Sequence, residues 1–188
     1  WSHGDDEIFS REQFLQWFDL DHLGRSAAQF DEAKLRWVNA QHLKSMDERA
    51  LSDSVAARLQ SRGITADERL LSICQLFKDR CDTTVALADW AQKFYADVQA
   101  SDAERAQHLT DAVRPAVAAL ADQLAHVEWT VPSISAAFKQ VLAEAGLKMP
   151  QLAMPVRVLV MGTAQTPSVD AVLHLCGRDR VVARLKSA

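Results

Sequence analysis

The sequence is poor in the residues that β-rich and disulfide-stabilised proteins need. Glycine and proline together supply only 11 of the 188 residues, which is about half their usual share. Because these two residues form many tight turns, their scarcity disfavours a sandwich or barrel of many short strands. The three cysteines cannot all pair with one another, so we expect no disulfide framework and a reducing compartment.

Other absences concern membranes, secretion and phosphate binding. No apolar run approaches the ~18 residues of a membrane-spanning helix, and no signal-peptide pattern is present. The chain has neither a G-x-G-x-x-G motif nor a P-loop, and its scattered histidines lack a convincing nucleophile partner. These gaps argue against a self-contained enzyme. Since the chain opens at Trp1 rather than at a methionine, we expect it to be part of something longer.

Charge is unevenly distributed along the chain. The net charge is −4, yet the residues from Leu147 to the end carry six basic and only two acidic side chains. The first 146 residues hold 15 basic and 23 acidic ones. A basic C-terminal quarter allows a local anion-binding surface on an acidic protein, although a solvated helix face explains the same pattern.

Apolar residues follow a helical period through most of the chain, and we predict an all-α fold. One helix presents an apolar stripe before the stop signal of Gly63, formed by Leu51, Val55 and Leu59. The helix before it is expected to face inward with Leu35 and Val38, with Trp37 as a further candidate. Capping boxes are predicted at Ser10, Thr65 and Ser101. Other predicted helix starts are Asp31, Asp47, Asp82 or Thr83, Thr130, Thr166 and Asp179.

Three stretches have a less regular pattern. The helix that starts at Ser101 is expected to run to about residue 127, with Pro115 kinking or breaking it. Residues 156–160 are strand-like by propensity, but a buried helix fits the pattern equally well. Residues 94–101 are the best candidate for a junction between two helical units.

Two groups of potential metal ligands are better explained without a metal. His3, Asp5, Asp6 and Glu7 lie in one short stretch, and neighbouring loop residues seldom converge on one ion, so a polar connecting loop is favoured. The pair Cys74 and Cys81 is spaced by two helical turns, with no Cys-x-x-Cys motif and no histidine at zinc-finger spacing. Small buried hydrophobic residues are the favoured interpretation of this pair.

Two arginines have both a structural and a functional explanation. Arg80 follows the predicted fourth helix, and a cation at a helix C-terminus is stabilised by the helix dipole. Arg157 precedes a turn rich in Gly, Thr and Pro that opens a helix. Exposed helix N–H groups and an arginine can together hold a nucleic-acid backbone or base.

Three blocks of the sequence are long enough to compare with known families. Residues 1–9 read W-S-H-G-D-D-E-I-F, residues 30–39 read F-D-E-A-K-L-R-W-V-N, and residues 154–163 read M-P-V-R-V-L-V-M-G-T, with Thr166-Pro167 following. In this order they resemble the stretch after the second ATP signature, the F-D-x-x-K-L-x-W-x-N block and the P-[LV]-R-x-A-L-T-G segment of bacterial glutamyl-tRNA synthetases. The resemblance covers essentially the whole chain.

The resemblance implies a helical bundle or cage that forms the anticodon-binding region of a class I aminoacyl-tRNA synthetase. We expect the tail of the stem-contact region in residues 1–45 and two anticodon-binding helical subdomains in residues 46–97 and 98–188. Both ATP signatures of the family are absent, so the chain alone is expected to be catalytically inactive and without a cofactor or metal. Its implied partners are the anticodon loop of tRNA(Glu) and an N-terminal catalytic domain of the same chain, which uses ATP and Mg²⁺. A cytoplasmic monomer without membrane contact is expected.

The resemblance also implies which residues contact the anticodon: Arg80, Arg157, Thr166, Pro167 and Val169. In family members that discriminate between tRNAs, Arg-x-Asp-Thr reads the third anticodon base, and residues 80–83 fit this pattern. Glutamate anticodons end in cytosine, whose O2 and N3 atoms accept from a guanidinium. Glutamine anticodons end in guanine, which presents donors on the same edge and therefore opposes the donors of Arg80.

Two other functions are alternatives to RNA binding. A helical protein-interaction adaptor is compatible with the same composition, and mutations on its basic face would leave tRNA binding untouched. A metal-dependent hydrolase would have to use the residues between His3 and Glu7. The ordered motif blocks favour the anticodon-binding function over both.

Overall fold

The computed structural model describes residues 1, 3–21, 23–24 and 29–187, and in those ranges it contains eleven α-helices and no β-strand. The all-α prediction is confirmed. The first helices are α1 (Arg11–Trp17), α2 (Glu32–Ser45), α3 (Glu48–Gln60), α4 (Arg69–Phe77) and α5 (Thr84–Gln92). The others are α6 (Asp102–His108), α7 (Arg114–His126), α8 (Val131–Ala145), α9 (Met149–Met161), α10 (Val169–Cys176) and α11 (Arg178–Lys186). None of the described helices is both long enough and apolar enough to cross a membrane.

Side-chain caps explain where several of these helices begin. The Ser10 hydroxyl accepts from the Gln13 N–H at 3.1 Å, and the Gln13 side chain accepts from the Ser10 N–H at 2.8 Å, so the predicted capping box is complete. Predicted caps also accept a hydrogen bond at the starts of α2, α3, α5 and α8, namely Asp31, Asp47, Thr83 and Thr130. A short polar side chain therefore satisfies an early N–H group of each of these helices.

Two of the predicted helix starts that are wrong involve acidic residues near Thr65 and at Asp179. No capping box forms at Thr65, because Asp67 instead accepts from the N–H and the guanidinium of Arg69, and α4 begins only at Arg69. Asp179 lies inside the first turn of α11, which follows Gly177 directly. An acidic residue is stabilising both at the cap and in the first turn of a helix, so the sequence pattern does not separate the two positions.

The stretch that begins at Ser101 is broken by its proline. Ser101 caps α6 by accepting from the Glu104 N–H at 3.2 Å, but α6 ends after seven residues. Pro115 lies in the first turn of the next helix, α7. Proline is tolerated there because the early N–H groups of a helix have no partner within the helix. Of the two predicted effects, a kink or a break, the break is the correct one.

Residues 156–160 belong to a buried helix and not to a strand. They form the second half of α9, and every one of them except Arg157 is buried. Pro155 is also buried inside this helix. Because α9 is covered on most sides, its valines match a strand pattern as well as a helical one, and the sequence left both interpretations open.

The buried side chains form one continuous cluster from Leu43 in α2 to Leu185 in α11. The predicted stripe of α3 is part of it, with Leu51, Val55 and Leu59 each no more than 2% exposed. Phe77 packs at 5.0 Å from the ring centroid of Trp90 and 5.7 Å from that of Phe94. Buried residues from both sides of residue 97 belong to this cluster, and the limits of the subdomains stay a prediction.

The expected inward face of α2 is largely exposed. Leu35 is 53% exposed and Trp37 is 46% exposed, so the prediction that they face inward is wrong, whereas Val38 is partly buried. Helical spacing indicates that residues share a face, but it does not show that another element of the chain covers that face.

The cysteines are buried free thiols, as expected for small hydrophobic residues. Cys74 and Cys81 are at most 4% exposed, and neither forms a disulfide. Burial raises the pKa of Cys74 to about 12 and that of Cys81 to about 11. Both thiols are therefore protonated and unreactive near neutral pH.

Candidate nucleic-acid interface

Arg80 lies in the connector between α4 and α5, which comprises residues 78–83. Residues 78–80 form a single 3₁₀ turn, and the Arg80 side chain is exposed. The next residue, Cys81, is buried in the core. Thr83 caps α5 by accepting from the Ala86 N–H at 3.1 Å. A core anchor and a helix cap thus fix the main chain immediately after an exposed cation.

Asp82, between that anchor and that cap, is bound by two side chains of α2. Arg36 Nη1 donates to Asp82 Oδ2 at 3.0 Å, and the Asn39 side chain donates to the main-chain carbonyl of Asp82. The hydrogen bond from Arg36 is the main cause that holds the pKa of the Asp82 carboxyl below its ordinary value. Helix α2 is therefore attached to the connector that carries Arg80.

Arg157 extends from α9 to the turn that precedes α10. Its Nη2 donates to the main-chain carbonyl of Pro167 at 3.2 Å, while its Nε is buried without a hydrogen-bond partner among the described residues. Burial lowers the pKa of Arg157, the nearby charge of Arg80 lowers it further, and Asp170 opposes both. Arg157 therefore connects the second half of α9 to the turn before α10.

The turn of residues 162–168 contacts Arg157 through its main chain. Thr166 is only 6% exposed, and its hydroxyl donates to the Pro167 carbonyl at 3.0 Å. Thr166 is therefore not the cap of α10, as the sequence suggested; α10 begins at Val169, after Ser168. The Val169 side chain is 7% exposed. The structure thus places Thr166 and Val169 beneath the surface, and we call Arg80, Arg157 and this turn the arginine site.

The C-terminal arginines are directed inward more than their charge suggests. Arg178, Arg180 and Arg184 donate to main-chain carbonyls at the ends of other elements, and all three are partly buried. Lys186 pairs with Asp122 at 3.3 Å. The Arg184 guanidinium donates to the carbonyls of Lys93, Ala96 and Val160, so the basic C-terminal quarter does not present all of its charge to solvent. The carbonyl groups at helix ends attract these cations.

The residues between His3 and Glu7 have partners within the chain. The Asp6 N–H donates to the His3 carbonyl at 3.1 Å, and the His3 ring stacks on Trp17 with centroids 4.2 Å apart. Glu7 pairs with Lys34. Among the residues that the structure describes, no group of three or more His, Cys, Asp and Glu side chains is placed to hold a metal ion.

Three residues that contact the arginine site or the connector of Arg80 were not predicted as site residues. Arg36 and Asn39 were recognised only as letters of a motif block, although their spacing of three places them on one face of α2. Glu104 was assigned to a capping box, but its carboxylate instead accepts from the Ala164 N–H at 3.4 Å, within the turn of the arginine site. That contact joins residues far apart in sequence, and no local pattern indicates it.

Comparison with known families gives one match over most of the chain. Residues 38–188 match the family described as "Anticodon binding domain". This range contains both arginines and the turn of the arginine site.

Curated relatives share this chain's sequence over its whole length. A glutamate–tRNA ligase of Paracidovorax citrulli is 69% identical over 192 aligned residues, and one of Verminephrobacter eiseniae is 68% identical over 195. Each alignment covers 100% of this chain but only 40% and 41% of the relative. The chain thus spans about two fifths of the length of these relatives, and it matches their C-terminal part.

Solved structures show a similar fold at low sequence identity. A glutamate tRNA ligase from Elizabethkingia meningosepticum superimposes with a TM-score of 0.88 at 21% identity, covering 97% of this chain and 37% of that one. A glutamate–tRNA synthetase from Elizabethkingia anophelis gives a TM-score of 0.84 at 22% identity, with 100% and 37% covered.

Proposed function

This chain belongs to the anticodon-binding domain family, and from that membership we propose that it binds the anticodon loop of tRNA(Glu) as the C-terminal part of a glutamate–tRNA ligase. The arginine site is the proposed contact surface for unstacked anticodon bases. Binding there positions the tRNA for a catalytic domain of the same chain, which joins glutamate to the tRNA.

The observation that carries this proposal is the match of residues 38–188, which contain Arg80, Arg157 and the turn, to the anticodon-binding domain family. Arg80 is exposed, and its charge acts on Arg157 beside the turn of residues 162–168. The guanidinium of an exposed arginine donates hydrogen bonds to electron-rich acceptors. Unstacked bases and phosphates of an RNA loop supply such acceptors.

In this proposal, Arg80 recognises the third anticodon base. Its guanidinium donates to the O2 and N3 atoms of cytosine. Guanine at that position would present N–H donors to the N–H donors of Arg80. Arg157, which is partly exposed beside Pro167, and the main chain of the turn contact the other anticodon bases. The exposed position of Arg80 makes it the residue that separates glutamate from glutamine anticodons.

Catalysis belongs, in this proposal, to the part of the relatives that this chain does not span. ATP and Mg²⁺ would be held there, and no residue of this chain is assigned to either of them. The function proposed for this chain is recognition.

Replacing Arg80 with glutamine tests base recognition directly. We expect the preference for cytosine over guanine at the third anticodon position to fall about tenfold or more, since a bidentate base contact gives roughly 1–3 kcal/mol of discrimination. Binding of two anticodon-arm RNA hairpins that differ only at that base, measured by fluorescence anisotropy, gives the ratio of their affinities.

A matched variant controls for the loss of positive charge. Arg114→Gln removes an exposed arginine of α7 that pairs with Asp111, and it should leave the ratio unchanged. If Arg80→Gln weakens binding of both hairpins equally, Arg80 contacts the RNA backbone and the proposed base contact is wrong.

Salt is expected to weaken hairpin binding in a way that separates phosphate from base contacts. Each neutralised phosphate of a single strand contributes about −0.7 to the slope of log affinity against log salt. The two hairpins carry the same phosphates, so their lines should be parallel and offset by the third-base preference. Affinities measured between about 50 and 200 mM KCl give both quantities. A salt-independent affinity would contradict contacts between the basic surface and RNA.

A further inference from the structure

Helix α2 contributes no residue to the arginine site, yet it holds the connector on which Arg80 stands. Arg36 binds the carboxylate of Asp82, and Asn39 binds its main-chain carbonyl. We propose that Arg36 and Asn39 are positioning residues that set third-base selectivity by fixing Asp82, two positions after Arg80. This inference rests on the proposed function, because it assumes that Arg80 reads the base.

The Asn39 contact restrains the backbone itself. A hydrogen bond to a side chain leaves the main chain free to rotate beneath it, whereas a bond to the Asp82 carbonyl limits the peptide group directly. That carbonyl precedes the cap residue Thr83 and therefore has no partner inside α5. Asn39 supplies the missing donor, and its loss would leave the carbonyl to water.

Arg36 adds a second restraint at the same residue. It lies three positions before Asn39, so both side chains project from one face of α2. Arg36 also forms an exposed ion pair of 3.0 Å with Glu32, within α2 itself. One residue of the connector is thus held at its main chain and at its side chain by a single helix.

Base selectivity is more sensitive to such restraints than stability is. Exposed ion pairs add little to folding, and both Arg36 and Asn39 are exposed. A guanidinium that forms two hydrogen bonds with a base, by contrast, loses its discrimination between bases when it shifts by about 1 Å. Helix α2 also packs against the 3₁₀ turn of residues 78–80, which ends at Arg80, so loosening the contacts of α2 with Asp82 also weakens the support of Arg80.

The test compares variants of α2 in the same hairpin assay. Asn39→Ala and Arg36→Gln remove one restraint each, and Arg36→Lys keeps the charge opposite Asp82. Glu32→Gln is the matched control, because it removes the other partner of Arg36 and leaves both contacts to Asp82 in place. Asn39→Ala is also combined with Arg80→Gln. Thermal unfolding followed by circular dichroism confirms that each variant is folded.

We expect Asn39→Ala and Arg36→Gln to lower the ratio of affinities for the cytosine and guanine hairpins by about threefold or more, as for residues coupled in one network. The slope of affinity against salt should not change, because no phosphate contact is lost. Arg36→Lys should restore most of the ratio. In the Arg80→Gln background, Asn39→Ala should not change the ratio of affinities further, because the arginine that Asn39 helps to position is absent.

Different outcomes overturn the inference and the proposed function separately. If Arg80→Gln removes the preference while Asn39→Ala and Arg36→Gln both retain it, α2 does not position Arg80 and only the inference is wrong. If Arg80→Gln retains the preference, the proposed base contact fails and the inference fails with it. Amide hydrogen exchange of residues 80–84 without RNA adds a readout, and exchange no faster in Asn39→Ala than in Glu32→Gln would also overturn the inference.

Discussion

Replacing Arg184 with methionine is expected to destabilise the domain by about 3 kcal/mol, because a charged donor that serves several buried carbonyls is lost. The Arg184 guanidinium donates to Val160 and Ala96 at 2.6 Å each and to Lys93 at 3.2 Å. Methionine keeps much of the length of the side chain but has no donor. For a domain of this size the change corresponds to a fall in melting temperature of roughly 6–12 °C.

The position of these carbonyls explains why the effect should be large. Lys93 and Ala96 follow α5, and Val160 lies in the last turn of α9, where carbonyl groups have no partner within the helix. Arg184 of α11 therefore joins the C-terminal ends of two helices. Arg80 precedes the first of them and Arg157 lies on the second, so Arg184 also helps to keep the arginine site together.

Lys186→Met provides the matched control on the same helix. Lys186 is exposed and pairs only with the exposed Asp122 in the contacts described, and such pairs contribute about 0–1 kcal/mol. Its melting temperature should stay close to that of the native protein. Urea unfolding of both variants measures the difference. If Arg184→Met unfolds at the same urea concentration as Lys186→Met, the inward contacts of Arg184 do not hold the domain together.

Local sequence predicted the features of the fold that depend on neighbouring residues. The caps Ser10, Asp31 and Thr83 were correct because a cap bonds to an N–H only two or three residues away. The cap at Thr166 was wrong because its hydroxyl bonds to Pro167, and threonine before proline fits both a turn and a helix start. Patterns of this kind describe what a residue is able to do, and packing selects among those options.

The candidate site depends more on contacts between distant residues. Arg80 and Arg157 were both predicted from motif resemblance, whereas the bond from Arg157 to the Pro167 carbonyl depends on how α9 packs against the turn before α10. The inward direction of Arg184 was missed because a C-terminal cluster of basic residues has the same composition whether it faces solvent or helix ends. Leu35 shows the reverse error, since its helical spacing is regular but no described element covers it.

Gly162→Ala is the second substitution with a large expected effect, because it combines backbone strain with a steric clash. Gly162 ends α9 with φ +70°, a conformation that costs other residues about 1–2 kcal/mol. A Cβ atom there would lie 2.8 Å from Val98 Cγ1 and 3.1 Å from the Gln99 carbonyl oxygen. We expect a total loss of about 2–4 kcal/mol in the free energy of unfolding.

Gly146→Ala separates the two causes. Gly146 ends α8 with φ +64°, but a Cβ atom there would have no neighbour within 4 Å. It should therefore show only the backbone cost, about 1–2 kcal/mol. Adding Val98→Ala to each variant should recover stability in Gly162→Ala alone, because it removes the closest clash. If the two glycine variants unfold at the same urea concentration, the contact with residues 98–99 does not strain the chain.

The same pair of variants connects packing to RNA binding. Gly162 begins the turn of residues 162–168, and the segment it meets at Val98 leads into α6, whose Glu104 accepts from the Ala164 N–H of that turn. An alanine at 162 must push these two segments apart or shift the turn away from Arg157. We therefore expect Gly162→Ala to weaken binding of both anticodon hairpins more than Gly146→Ala does, at a temperature where both variants are fully folded. Equal affinities would mean that the turn tolerates displacement, and the turn would then not be the main-chain contact proposed for the anticodon.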